Sequence, residues 1–142
     1  VINLTTEQLA HATDYCGVRS GRDVDKWKEM HLTEGQASKL DYAPIIEECP
    51  VNIECKVTEI KELGSHHMFL AKVEAVQVGE EYLDEKGRLQ LGKAGLLAYS
   101  HGEYLTLGDS LGTFGWSVRK NTSSKKKKKN IRKGSSSKKQ KK

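Results

Sequence analysis

A chain of 142 residues, 36% of them hydrophobic, is long enough to bury the core of one domain and too short for two. Its 24 basic and 19 acidic residues are unevenly placed: residues 121–142 hold eleven Lys and Arg and no acid, so residues 1–120 carry net −6 and the tail +11. The basic pI is therefore a property of an appendage and gives no ground for reading the folded part as a nucleic-acid binder. Cys16, Cys49 and Cys55 are odd in number with no CxxC pair, which excludes a disulfide framework or zinc ribbon. No apolar stretch approaches the ~20 residues of a membrane span. The expected location is cytoplasmic.

VINL at positions 1–4 is a β-branched apolar run with no turn or cap before it, and is expected to be the inside of a strand cut at its N-terminal side. TTEQLAHATDYC predicts a helix with Thr5 or Thr6 as N-cap, Leu9, Ala12 and Cys16 at helical spacing, and Gly17 as its stop. Ser20 and Gly21 open a second helical segment, RDVDKWKEMHL, with Asp23 and Asp25 in the first turn and Val24, Trp27 and His31 on one face.

From Asp41 the period changes. Val51, Ile53, Cys55 and Val57 alternate with Asn52, Glu54, Lys56 and Thr58, the pattern of a half-buried strand. LGSH predicts a turn, and HMFLAKVEAVQV runs back with Phe69, Ala71, Val73 and Ala75 on one face, which makes a long β-hairpin. Residues 79–92 read as an acidic loop with a Lys-Gly turn, AGLLAYS as a short strand, and GEYLTLGDSLGTFGWSVRK as a glycine-punctuated strand or closing segment. Thirteen glycines among short strands favour a barrel over a layered α/β sheet. Residues 121–142, with Ile131 their one apolar side chain, are expected to be a disordered polybasic tail.

His66 and His67 stand next to each other where the hairpin turns, and neighbouring strand positions face opposite ways, so a two-histidine metal site is not expected there. No GxSxG, Walker loop or HExxH occurs. The Ser20-Gly21-Arg22 turn offers a phosphate site through backbone N–H groups and the Arg22 guanidinium.

Five blocks in order, CGVRSGRDVDKW (16–27), YAPIIEECPVNIECKV (42–57), LGSHHMFLAKVEAV (63–76), LLAYSHGEYLTLG (96–108) and LGTFGWSVRK (111–120), resemble the flavin reductase-like proteins with an FMN-binding split barrel, in particular their flavoredoxin-like branch. The resemblance implies a mainly β fold with flanking helices, a Greek-key split barrel over residues 1–120. The family's opening strands have no counterpart before VINL, so this barrel is expected to be incomplete at its N-terminus.

The resemblance further implies a homodimer holding FMN at its interface, NADH or NADPH as hydride donor, and a flavin or redox protein as electron acceptor. Lys26 matches the family's lysine near the flavin, His66 its turn histidine, and Tyr99 an aromatic position beside the ring, with Ser20 and Arg22 added from the turn. No catalytic residue is assigned and no metal is implied. Two alternatives stand beside this one: a flavin-free remnant or dimerisation module, and a protein whose basic tail contacts nucleic acid or an anionic membrane surface.

Overall fold

The computed structural model describes residues 1–119. The chain falls into two compact units, Val1–Leu107 and Gly108–Lys142. The expected disordered tail, 121–142, lies outside the described residues.

The first unit is organised by one long hairpin. Strand β1 (Ile2–Leu4) leads through a single 3₁₀ turn into helix α1 (Ala10–Val18), followed by a one-turn helix α2 (Lys26–Glu29) and the two-residue strands β2 (Glu34–Gly35) and β3 (Ile45–Ile46). Strands β4 (Val51–Glu62) and β5 (His67–Val78) form the hairpin, and β6 (Leu97–Ser100) with β7 (Glu103–Thr106) forms a second, short one. The sheets are β1-β4-β5, β2-β3 and β6-β7, all paired antiparallel. None is closed among the described residues.

The helices are shorter or longer than their sequence signals for local reasons. Helix α1 runs through Gly17, because no neighbour stops it there, and ends where Arg19 N–H bonds the Tyr15 carbonyl. Helix α2 is four residues, not the length of RDVDKWKEMHL: it starts only at the Asp25 cap, whose carboxylate accepts from Lys28 N–H, and it ends before His31, whose φ of +53° is not helical.

The β4–β5 turn is where the sequence places it. Gly64 adopts φ +80°, a conformation that favours glycine. Cys55, Val57 and Ile60 face Val73, Ala71 and Phe69 along one face, continuing Val51 and Ile53 opposite Val78 and Val76. Two bulges keep the face apolar: Thr58 is the extra residue on β4, and Glu74 on β5. The second bulge corrects the expected face of Ala75. It pairs with Glu54 on the opposite side, and Val76 takes its place.

Burial is the reverse of what alternation alone suggests. Beyond Cys55 the apolar face is open, with Val57, Ile60, Phe69 and Val73 each at least half exposed, whereas Asn52 and Glu54 on the polar face are 4% and 0% exposed. Segment 33–46 crosses the polar face at the base of the hairpin and covers it: Asn52 Nδ2 donates to the carbonyls of Ile46 and Cys49, and Glu54 receives Ser38 and Lys39. The core accordingly sits at the hairpin base, around Ala37, Ile45, Cys49 and Val51.

Gly35 is required by this closure. A Cβ there would lie 2.8 Å from side-chain carbons of both Ile45 and Glu47. Gly35→Ala is therefore expected to destabilise the protein by about 1–3 kcal/mol, the usual range for overpacking, read as a lower urea midpoint with unchanged slope.

The β6–β7 hairpin is tied to the chain after β1 by Glu7 N–H to Gly95 O at 2.8 Å and Leu97 N–H to Thr5 O at 3.2 Å. Tyr104 on β7 donates to the Asp14 carboxylate of α1 at 3.3 Å. In the second unit, the described part is a turn over Thr113–Trp116 and a short 3₁₀ stretch over Trp116–Val118, with Arg119 Nη2 donating to Thr113 Oγ1 at 2.8 Å. The closing segment thus forms no strand beyond Thr106 among the described residues.

Candidate functional site

The segment between α1 and α2 gathers three of the sequence-predicted residues. Ser20 is the hub of its turn: its carbonyl accepts from Asp23 and Val24 N–H at 3.1 and 3.3 Å, and its hydroxyl from Arg22 N–H at 3.2 Å. The Arg22 N–H is spent inside the turn, so of the expected backbone cradle the Ser20 and Gly21 N–H groups are the ones without a hydrogen bond among the described residues.

Lys26 opens α2 and reaches back to the end of α1, where its ammonium donates to Cys16 O at 2.6 Å. Cys16 is among the last four residues of α1, whose carbonyls lack helical partners and carry the negative end of the helix dipole, so a cation is favoured there. Tyr15 holds the same two helices together by donating its hydroxyl to Glu29, a bond that raises the Tyr15 pKa. The link fixes Lys26 at its root and spends one of three ammonium donors.

Arg22 and Lys26 line a cavity of about 540 Å³ with Gly21, Asp23, Val24 and Trp27. Asp25, also in the lining, has turned its carboxylate to cap α2. Neither the Arg22 guanidinium nor the Lys26 ammonium has a carboxylate within ion-pair distance among the described residues. Two cations beside an open cavity, neither ion-paired to the Asp23 or Asp25 carboxylates that share the lining, suit an anionic group such as a phosphate.

His66 and Tyr99 lie elsewhere in the unit. His66 is exposed in the β4–β5 turn, its Nδ1 2.7 Å from Ser65 Oγ, at the far end of a hairpin that two twelve-residue strands make about 40 Å long. His67 starts β5 opposite Glu62, with Nε2 3.9 Å from that carboxylate. Tyr99 is 67% exposed on β6, its ring 5.1 Å from and tilted 57° to that of Tyr104. No hydrogen bond, ion pair or ring contact joins Lys26, His66 and Tyr99 within the one chain, among the described residues.

Sequence reading passed over Glu54. It is the one large side chain fully buried among the described residues, and it accepts from Ser38 N (2.8 Å), Ser38 Oγ (2.8 Å), Lys39 N (2.7 Å) and Gln77 Nε2 (2.9 Å). Burial pushes its carboxyl up, but the bonds from Ser38, Gln77 and Lys39 outweigh this and bring it down to about 2. No local pattern marks Glu54, because its donors come from residues 38, 39 and 77.

The cysteines do not form a reactive centre. All three are free thiols, and burial, with the Glu48 carboxylate, pushes the Cys49 pKa up to about 11. Among the described residues no three His, Cys, Asp or Glu converge to hold a metal ion, and no helix is long and apolar enough to cross a membrane.

Comparison with known proteins gives the chain's family and fold type. Residues 1–108 match the flavin reductase like domain. A flavoredoxin of Desulfovibrio vulgaris (Miyazaki F) superposes with TM-score 0.74 at 26% identity, over 83% of this chain and 63% of that one. A flavoredoxin of Methanosarcina acetivorans gives 0.70 at 31%, over 82% and 63%. An FMN-binding protein of Thermus thermophilus gives 0.61 at 28%, over 78% and 59%. This chain also spans 48% and 62% of the length of two curated archaeal relatives. The fold is mainly β with a few helices, of the split-barrel type named for a flavin reductase structure from Shewanella frigidimarina, which superposes with TM-score 0.67 at 19% identity over 80% of this chain and 58% of that one. With the match running through most of its length, the chain belongs to the flavin reductase like domain family.

Proposed function

We propose that the protein is an FMN-dependent oxidoreductase that takes electrons from NADH or NADPH and passes them to a flavin or a redox protein. The observation that carries this reading is the pair of cations, Arg22 and Lys26, standing without carboxylate partners beside an open cavity in a chain of this family. Their chemistry fits FMN: Arg22 offers a planar fork for phosphate, and Lys26 retains two ammonium donors for phosphate or the flavin's pyrimidine edge. When bound, FMN supplies the hydride chemistry, and the protein's part is to bind, orient and tune it. A cation near the ring favours the reduced, more negative flavin.

His66 and Tyr99 belong to this reading as residues that a second copy of the chain would bring to the flavin, since no single copy joins them to Lys26. Support for a homodimer comes from the half-exposed apolar face of the β4–β5 hairpin, a surface that water disfavours. The proposed place of action is the cytoplasm, where three free thiols stay reduced. The polybasic tail, with its alternative role on nucleic acid or membrane, lies outside the described residues.

Anaerobic mixing of the FMN-loaded protein with NADH or NADPH tests the activity. Bleaching of the flavin absorbance faster than for free FMN supports it. A rate no faster than for free FMN leaves a flavin-binding or dimerisation module instead. Within the same reading, His66→Ala is expected to weaken FMN binding by about tenfold, the loss of one hydrogen bond to a charged group. His67→Ala, which removes a residue facing Glu62, is expected to change it less than twofold, and equal dissociation constants for the two variants would reject the assignment of His66.

A further inference from the structure

Glu54 is a fully buried titratable group that flavin chemistry does not use. All four of its donors are uncharged, and two of them are consecutive backbone N–H groups, Ser38 and Lys39, turned inward onto one carboxylate. Oxygen Oε1 takes Ser38 N, Ser38 Oγ and Gln77 Nε2, and Oε2 takes Lys39 N. Gln77 Nε2 also bonds Gln36 O at 3.1 Å, so β5 grips the same segment at a second point. The arrangement is an anion nest occupied from inside the chain.

Beyond the nest, residues 34–44 enclose an open crater of about 730 Å³. Tyr42 in its rim is 98% exposed, so the rim has little packing of its own. Ala37 is the one buried apolar side chain of residues 36–44, and the nest is the main polar attachment between the first half of this stretch and the hairpin.

We infer that Glu54 is a carboxylate latch: it fills a nest made by Ser38, Lys39 and Gln77, thereby holds segment 36–44 against the hairpin, and keeps the crater open in one shape. Remove the side chain's carboxylate and the nest becomes a receptor for a small monocarboxylate, because its donors remain and those of Ser38 and Lys39 lack any other acceptor. This role is independent of flavin binding.

Hydrogen exchange of the full chain is the test, with Glu54→Ala in chloride and in formate at equal ionic strength. The expected result is exchange at the Ser38 and Lys39 amides at least about tenfold faster in chloride, the loss of a charge-assisted bond, and restored protection in formate. Wild-type protection in chloride, or loss that formate does not reverse, overturns the latch. Should Glu54→Ala fail to fold in chloride, folding recovered by formate supports it, and folding recovered by neither salt contradicts it. Gln77→Leu removes one donor but leaves the carboxylate with three, so it is expected to speed exchange at Lys39 less than Glu54→Ala does. An equal effect counts against the latch.

Discussion

Replacing Arg22 and Lys26 together by Met is expected to weaken FMN binding by about 30-fold or more. Each cation donating to a phosphate is worth about 1.5–3 kcal/mol in a sheltered site. Arg22 is exposed and Lys26 half-buried, so solvent screening reduces the pair to about 2 kcal/mol in total. The single variants separate two jobs. Arg22→Met is expected to lose phosphate affinity and leave the fold alone, since its side chain has no hydrogen-bond or ion-pair partner among the described residues. Lys26→Met also frees Cys16 O at the end of α1, so it lowers stability as well. Isothermal titration with FMN, beside urea unfolding of each variant, distinguishes these effects. Unchanged FMN affinity in the double variant would remove the cavity from the proposal.

Acid is expected to release segment 36–44. Glu54 is held down to about 2 in the folded protein, against an ordinary value of 4.5. A carboxyl depressed on folding adds stability that is fully present above its unfolded pKa and is lost as pH falls through the folded one. The window is therefore between about 4.5 and about 2. Protonation places a hydrogen on an oxygen that accepts N–H bonds, and no cation among its four partners offsets the change. Exchange of the 36–44 amides, corrected for intrinsic rates, is expected to accelerate across that window while the β4–β5 ladder stays protected longer. In Glu54→Gln, which cannot titrate, the dependence flattens. Constant wild-type protection down to about pH 2 would contradict this.

The β4–β5 hairpin was legible because apolar residues alternate from Val51 to Val57 and again from Phe69 to Val73, and its turn carries the glycine that φ +80° calls for. Strand β1 was legible as a β-branched apolar run, and the short β6 as the apolar stretch within AGLLAYS. What escaped the pattern was set by residues distant in sequence. Alternation assigned Glu54 to a solvent face, but segment 33–46 folds over that face. The place of Ala75 depended on a bulge at Glu74, which no local composition announces. Helix α2 starts late because Asp25 caps it, and it ends before His31, whose φ of +53° is not helical.

The site was legible in part. Ser20, Arg22 and Lys26 are near in sequence, and their shared turn keeps them near in space. His66 and Tyr99 are separated from them by the length of a hairpin and by a second sheet, and a resemblance between sequence blocks does not supply the missing geometry. Their meeting with Lys26 is a property of the proposed dimer.

Titration of the full chain with FMN and, separately, with riboflavin, followed by quenching of flavin fluorescence, tests the central claim most directly. Binding through Arg22 and Lys26 predicts saturable quenching with FMN, and an affinity for riboflavin lower by about tenfold or more, because riboflavin lacks the phosphate. Absence of saturable quenching, or equal affinity for the two flavins, would contradict it.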